Sequence, residues 1–201
     1  MHAHETPVIP FASQKGFEAW LKKNHAKSDG IWVQFYKKAS GKKTVVYKEA
    51  LDVALCFGWI DSQLKSLDAE SYIQKFTPRR KKSMWSQVNR LHIARLVKEK
   101  RMHTAGLAEV TRAKKDGRWD AAYSSPKNMT VPEDFKHVLV RSPKAKAFYA
   151  TLNKVNTYAI LWRIHTAKKP ETRARIIAKM IEILEKEERI HKAWGKTSKK
   201  E

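Results

Sequence analysis

The sequence has one cysteine, no long apolar run and few acidic residues, and each shortage limits what the chain can be. Cys56 has no second cysteine to pair with, so an internal disulfide is excluded. No apolar run approaches the roughly 18 residues needed to cross a bilayer. The start, MHAHETPVIPF, lacks the basic segment and apolar core of a secretory signal. Together these features predict a cytoplasmic protein without a transmembrane segment.

Familiar catalytic and cofactor signatures are also missing. The sequence contains no Walker A, GxGxxG or GxSxG motif. Its histidines show neither an HExxH motif nor a Cys/His ligand spacing, so we expect no metal and no cofactor. These absences argue only weakly against an enzyme, because catalytic groups can meet in space from distant parts of a chain.

Positive charge is what the chain has in excess. It contains 42 Lys and Arg against 20 Asp and Glu, which gives a formal net charge of +22. Such an excess favours polyanionic partners: nucleic acid, anionic lipid headgroups or phosphorylated small molecules. The alternative is a surface whose lysines serve solubility alone.

The pattern of apolar residues predicts an α+β fold that is predominantly helical. Helical periodicity and strand-like runs alternate in the first part, and the pattern is helical from Ser86 onward. We therefore expect a small antiparallel sheet of about three strands covered by helices, followed by a C-terminal helical module. The first elements are predicted as helices over 13–25 and 47–57 and strands over 31–36, 59–67 and 71–76.

Composition changes at SSPKNMTV, which predicts a linker between two parts of the chain. Pro132 and Pro143 suit the first turns of helices in the second part. The predicted segments are a flexible N-terminal segment (1–10), an α+β domain (11–123), the linker (124–131), a helical module (132–190) and a basic tail (191–201).

The most informative stretch begins with GWIDSQ, in the first strand of a predicted hairpin. Alternate residues of a strand share a face, so Trp59, Asp61, Gln63 and Lys65 are expected on one side. A carboxylate beside a tryptophan is costly to bury without a partner. The sequence therefore predicts a partner for Asp61.

The stretch continues as FTPRRKKSMWS, which joins four consecutive cations to a tryptophan. Arg79 and Arg80 carry guanidinium groups that bind phosphate or carboxylate in a bidentate way, and Trp85 can stack on a ring. Ser86 is predicted to cap the next helix, whose N-terminus favours an anion. This pattern is typical of a phosphate pocket and equally of a solvated basic loop.

Two interpretations of the stretch stay open at this point. In one, Asp61 pairs with an arginine and locks the hairpin to a helix. In the other, a polar cleft binds an anionic ligand, and the two are compatible because ion pairs often line sites. The candidate ligand-binding residues are Trp59, Asp61, Gln63, Arg79, Arg80, Trp85, Ser86 and Asn89.

Two further positions invite a structural prediction. Cys56 lies near the end of a predicted helix, where the dipole disfavours a thiolate, so we expect it to pack in the core. Arg173 and Arg175 lie in the first turn of the last predicted helix, against the dipole preference. Arg173 is expected to bond an acidic residue of the N-terminal domain, or else an external anion.

The chain is similar to the YdeI/OmpD-associated family, also called the bacteriocin-protection family. The resemblance extends over most of residues 11–190. It is carried by YKEALDVALCFGWIDSQ, SYIQKFTPRRKKSMWSQVN, RMHTAGLAEVTRAKKDGRW and the C-terminal LWRIHTAKKPETRARIIAKMIEIL. The resemblance implies a bacterial cytoplasmic protein linked to envelope stress and to resistance against bacteriocins or cationic peptides. It assigns no catalytic residue.

The leading prediction is thus a non-enzymatic protein of the bacteriocin-protection type. It would bind an anionic small molecule or a protein partner in the region of Asp61 and Arg79. One alternative is a nucleic-acid-binding protein that uses its basic surface. The other is an enzyme that acts on a phosphorylated or anionic substrate.

Overall fold

The structure is a computed structural model that describes residues 6–125 and 127–191. These residues form two compact units, one ending at Ala122 and the other beginning at Tyr123. Most of the predicted basic tail, and half of the predicted flexible N-terminal segment, lie outside the described residues. Within the described ranges, no helix combines the length and the apolar character needed to span a membrane.

The first unit has the α+β fold that the sequence predicts, with one small sheet and helices packed against it. Its strands are β1 (Val8–Pro10), β2 (Ile31–Tyr36), β3 (Trp59–Ser66) and β4 (Ser71–Pro78). Its helices are α1 (Gln14–Asn24), α2 (Tyr47–Cys56), α3 (Gln87–Lys98) and α4 (Thr104–Lys115).

The sheet contains one strand more than the sequence predicts. Its order is β1-β2-β4-β3. Strand β4 is antiparallel to both β2 and β3, whereas β1 runs parallel to β2. Residues 8–10 are thus a strand, so the prediction of a flexible segment is wrong for them. A three-residue apolar run beside prolines has no periodicity that reveals a strand. Proline suits this edge position because it cannot donate to a second neighbour.

A β-bulge in β3 changes which side chains share a face. Asp61 lies opposite Phe76 and Leu64 opposite Gln74, so β3 advances by three residues where β4 advances by two. Lys65 consequently lies opposite Ile73, on the face that Trp59 does not occupy. The prediction that Lys65 shares a face with Trp59 and Asp61 is wrong, because one extra residue reverses the alternation.

One face of the sheet carries the core of the first unit. Ile31, Val33 and Phe35 alternate along β2 and are buried in one cluster with apolar side chains of all four helices. Aromatic contacts join the layers, for example Phe17 of α1 and Phe76 of β4 with ring centroids 5.5 Å apart. Each large apolar side chain buried in this way contributes about 1.5–3 kcal/mol. The core therefore holds the helices on a single side of the sheet.

Helix α4 approaches the end of α2 so closely that only glycine fits between them. A Cβ atom added at Gly106 would overlap the Cys56 carbonyl oxygen and lie 2.8 Å from the Leu55 carbonyl oxygen. The Cys56 carbonyl also accepts a hydrogen bond of 3.0 Å from the His103 backbone N–H. Cys56 itself is buried in the core, as predicted.

The second unit is helical. Its helices are α5 (Glu133–Val140), α6 (Pro143–Ala150), α7 (Lys154–Thr166) and α8 (Pro170–Glu185). Arg173 of α8 forms a bidentate ion pair with Asp134 of α5, at 2.6 and 2.9 Å, and donates to the Ile164 carbonyl oxygen of α7 at 2.6 Å. Its partner is thus an internal carboxylate, but from the same unit. The prediction of an N-terminal partner is wrong because α5 brings Asp134 beside the start of α8.

Gly106→Ala should lower the free energy of unfolding by about 3 kcal/mol, because the new methyl group meets backbone carbonyls that cannot move aside. Urea denaturation followed by circular dichroism measures this change.

Gly16→Ala is the matched control, because a Cβ atom there meets nothing closer than 3.8 Å. It should leave stability unchanged or raise it by up to about 1 kcal/mol. Equal effects of the two substitutions would contradict the close approach of α4 to α2.

Candidate functional site

Arg79, one of the cations of the predicted site, is buried in the first unit. Arg79 is only 6% exposed, and its guanidinium carbon lies 3.6 Å from the centroid of the Trp85 ring. It donates a hydrogen bond of 3.2 Å to the Met84 carbonyl oxygen. A desolvated contact between guanidinium and indole stabilises by about 2 kcal/mol. Arg79 therefore anchors the loop that leads into α3.

Asp61 has its partner elsewhere. Tyr47, the first residue of α2, donates a hydrogen bond of 2.7 Å to the Asp61 carboxylate. Burial and the neighbouring Asp61 charge raise the pKa of Tyr47 well above its ordinary value. The interpretation in which an arginine pairs with Asp61 is wrong. Asp61 lies opposite Phe76 and beside the start of α2, whereas Arg79 follows the end of β4.

The remaining predicted residues divide between core and surface. Trp59 is buried and its Nε1–H donates to the His25 carbonyl oxygen at 3.1 Å. Ser86 caps α3, because its hydroxyl oxygen accepts from the Asn89 backbone N–H at 3.1 Å. Gln63 and Arg80 are exposed. Ligand binding by this set stays a prediction, and the three cavities described below are lined by other residues.

A charged cluster that the sequence did not single out joins α2 to α3. Asp52 is 8% exposed and lies on the buried helix α2. Its carboxylate bonds His92 Nδ1 at 2.7 Å and Arg95 Nη2 at 2.5 Å. His92 and Arg95 are three residues apart on α3 and therefore share a face. Glu99, one turn further, bonds the other terminal nitrogen of Arg95.

The hydrogen bonds fix the ionisation of this carboxylate. Burial alone raises the pKa of Asp52, but the hydrogen bonds from Arg95 and His92 outweigh it and hold the pKa below its ordinary value. An ionised carboxylate only accepts, so His92 Nδ1 must be the donor. This leaves the Nε2 atom of His92 available to another group, in the arrangement by which a carboxylate orients a histidine.

A cavity of about 480 Å³ opens beside this cluster, and we name it the Asp52 cavity. Its volume is in the range of small-molecule sites. Lys48 forms no ion pair within the described part of the chain, whereas Glu49 accepts a hydrogen bond of 3.3 Å from the Val46 backbone N–H. The lining residues are Lys48, Glu49, Asp52, Leu91, His92 and Arg95.

Two further cavities are smaller than the Asp52 cavity. One, of about 330 Å³, borders Cys56 and His103, and burial raises the pKa of the Cys56 thiol to about 11, so the thiol stays neutral. The charged side chains in its lining are Glu18, Lys22, Lys100 and Arg101. Another, of about 360 Å³ in the second unit, is mainly apolar apart from the Asp134–Arg173 pair. Across residues 6–125 and 127–191, no group of three His, Cys, Asp or Glu side chains is arranged to hold a metal ion.

One signal in the sequence could have found the Asp52 cluster. Asp52 interrupts the apolar run ALDVALC, and every residue from Ala50 to Cys56 is buried. A carboxylate in such a run requires a partner. The partners lie some forty residues further on, and the sequence does not show which face of α3 meets α2.

Asp52→Asn should lower the free energy of unfolding by about 2 kcal/mol at neutral pH, because two charge-assisted hydrogen bonds weaken. The folded-state pKa of Asp52 lies below its ordinary value of 3.8. Its contribution is therefore present above that value and is lost as the pH falls through the folded-state pKa. Urea denaturation from about pH 7 to about pH 3 measures the difference between the wild type and the variant.

Asp29→Asn is the control, since Asp29 is exposed and forms no ion pair among the described residues. It should show no comparable loss at any pH. A wild-type advantage over Asp52→Asn that persists unchanged into acid would contradict the assigned ionisation.

Comparison with known families agrees with the division into two units. Residues 9–109, about half of the chain, match the family described as Domain of unknown function (DUF8412). Residues 128–187 match the family described as Bacteriocin-protection, YdeI or OmpD-Associated. No curated protein and no solved structure matches the chain. The chain therefore belongs to the DUF8412 family through its first unit, and its second unit contains a domain of the YdeI/OmpD-associated, bacteriocin-protection family.

Proposed function

We propose that this protein binds a small anionic ligand in the Asp52 cavity and acts by binding and not by catalysis. The observation that carries the proposal is the Asp52–His92 hydrogen bond of 2.7 Å at the wall of a cavity of about 480 Å³. It holds the imidazole in one orientation, and no residue that the structure describes forms a hydrogen bond with Nε2. A cavity of this size accommodates a phosphorylated sugar or a nucleotide.

One cation of the cavity lining, Lys48, is placed to bind an anion. Asp52 is neutralised by Arg95, and Glu49 is engaged with the Val46 backbone N–H. The Lys48 ammonium forms no ion pair with the residues that the structure describes, so it can bind a phosphate or a carboxylate as a point charge. His92 adds a donor when its ring is protonated.

The proposed binding site lies at a different place from the one that the sequence predicts. It keeps the predicted class of ligand and moves the ligand from the Asp61–Arg79 region to α2 and α3. Arg79 of the predicted site contacts the Trp85 ring and donates to the Met84 carbonyl oxygen, which makes it unsuited to bind a ligand. Phosphorylated metabolites are abundant in the cytoplasm, the compartment that a single cysteine favours.

Binding should be detected as a rise in melting temperature and by titration calorimetry with inorganic phosphate, a hexose phosphate, a nucleoside monophosphate and citrate. The unphosphorylated hexose serves as the neutral control. His92→Asn and Lys48→Gln should each weaken binding about tenfold or more, because each removes one polar contact to the anion.

The choice of asparagine separates binding from folding. Its side-chain amide can replace Nδ1 in the bond to Asp52 but cannot reach the position of Nε2, so the fold should persist while the ligand contact is lost. Lys23→Gln on α1 removes an exposed lysine elsewhere and should leave affinity unchanged. Anions that fail to stabilise the wild type, or that bind all three variants alike, would refute the site.

An enzyme is the second candidate, favoured by the same carboxylate-oriented histidine. His92 would act as a general base toward water, since the cavity lining contains no serine, threonine or cysteine. Phosphorus NMR of a hexose phosphate incubated with the protein distinguishes the two. Release of free phosphate that His92→Asn abolishes would establish catalysis, whereas an unchanged spectrum supports binding alone.

A further inference from the structure

The face of the sheet turned away from the core carries a tryptophan beneath two lysines. Trp32, Gln34 and Tyr36 alternate along β2 with the core residues, and the register places Lys75 beside Trp32 and Ile73 beside Gln34. Lys65 of β3 lies next to Ile73 because of the β-bulge. We call this surface the outer sheet face, formed by Trp32, Gln34, Tyr36, Lys65, Ile73 and Lys75.

The lysines are held over the indole without any acidic partner. The Nζ atoms of Lys65 and Lys75 lie 4.8 and 5.7 Å from the centroid of the Trp32 ring. Neither lysine forms an ion pair within residues 6–125 and 127–191. Each such contact contributes about 0.5–1 kcal/mol at an exposed site, which is weak enough to exchange for a phosphate. Trp32 is 8% exposed, so these side chains cover its ring.

A second aromatic ring continues the surface. Tyr36 lies on the same face four residues further along β2, which is a distance of about 13 Å. Lys42 Nζ lies 5.2 Å from the Tyr36 ring centroid and bonds Glu70 at 2.7 Å. The two rings, with lysines beside each, form a line along a central strand of the sheet.

We propose that the outer sheet face binds single-stranded nucleic acid, with a base stacked on Trp32 and the ammonium groups of Lys65 and Lys75 turned from the ring to the flanking phosphates. Aromatic side chains on an open sheet bind unpaired bases in this way, and cations beside them bind the backbone. The positive charge of the lysines complements the phosphates.

The chemistry favours this partner over other polyanions. A duplex hides the flat faces of its bases, so Trp32 would contribute nothing to binding it. An acidic peptide would engage the lysines and leave the central indole unused, and a membrane surface offers no planar base on which the indole can stack. The inference is independent of the Asp52 cavity, because α2 and α3 pack against the opposite face of the sheet.

Fluorescence anisotropy tests the proposal, with labelled oligouridylate and oligothymidylate of about fifteen nucleotides as probes. Trp32→Leu should weaken binding about fivefold to a hundredfold through loss of stacking, and Trp32→Phe should restore part of the affinity. Lys65→Gln combined with Lys75→Gln should reduce the slope of log affinity against log salt by about 1.4, for two lost contacts to a single strand.

The double variant Lys15→Gln with Lys23→Gln is the matched control, because it removes two exposed lysines from α1 on the other side of the sheet. It should retain wild-type affinity, and melting curves of every variant should verify folding. If the two double variants weaken binding of the probe equally, binding depends on positive charge anywhere on the surface, and the proposal is overturned. A preference for duplex of the same length would also overturn it. The same holds if anionic vesicles displace the probe and the Trp32→Leu variant binds those vesicles as the wild type does.

Discussion

The burial of α2 is the constraint on which the first unit depends. Every residue of α2 from Ala50 to Cys56 is buried, so α3, α4 and the sheet must all reach this part of the helix. The one charge in that stretch, on Asp52, is acceptable only because α3 supplies His92 and Arg95 at bonding distance. At the other end, the missing side chain of Gly106 lets α4 meet the α2 carbonyls. Charge and shape together thus determine where both helices lie.

Much of this architecture follows from local sequence, and the remainder depends on contacts between distant residues. The hairpin, the helices and the burial of Cys56 are predictable because periodicity and turn residues act locally. Strand β1 is not, since its parallel partner is set by the chain between them. The need of Asp61 for a partner follows from the sequence, but Tyr47 supplies it, and Arg79, which the sequence offers as a partner or as a ligand-binding residue, packs on Trp85. The sequence thus shows that a charged residue needs a partner, but it does not show which residue that partner is.

The sheet gives the first unit two surfaces with different chemistry. Toward the helices it is mainly apolar, and the Trp59 indole there donates to the His25 carbonyl oxygen. On the other face a single indole is covered by lysine stems, which shield it from water while their ammonium groups stay hydrated. The β-bulge after Asp61 is what brings Lys65 to this second surface. One inserted residue therefore decides which side of the sheet receives its charge.

The short strand β1 also protects the protein from self-association. It occupies the edge of β2, where the Trp32 backbone N–H donates to the Pro7 carbonyl oxygen at 2.8 Å. Without it, β2 would offer a row of unsatisfied backbone groups flanked by Trp32 and Phe35, a template onto which another chain could add a strand. Pro10, the last residue of β1, limits such growth in turn, because it has no backbone N–H to donate. Three residues near the start of the chain thus cover the backbone groups of β2, and the opposite edge of the sheet is formed by β3.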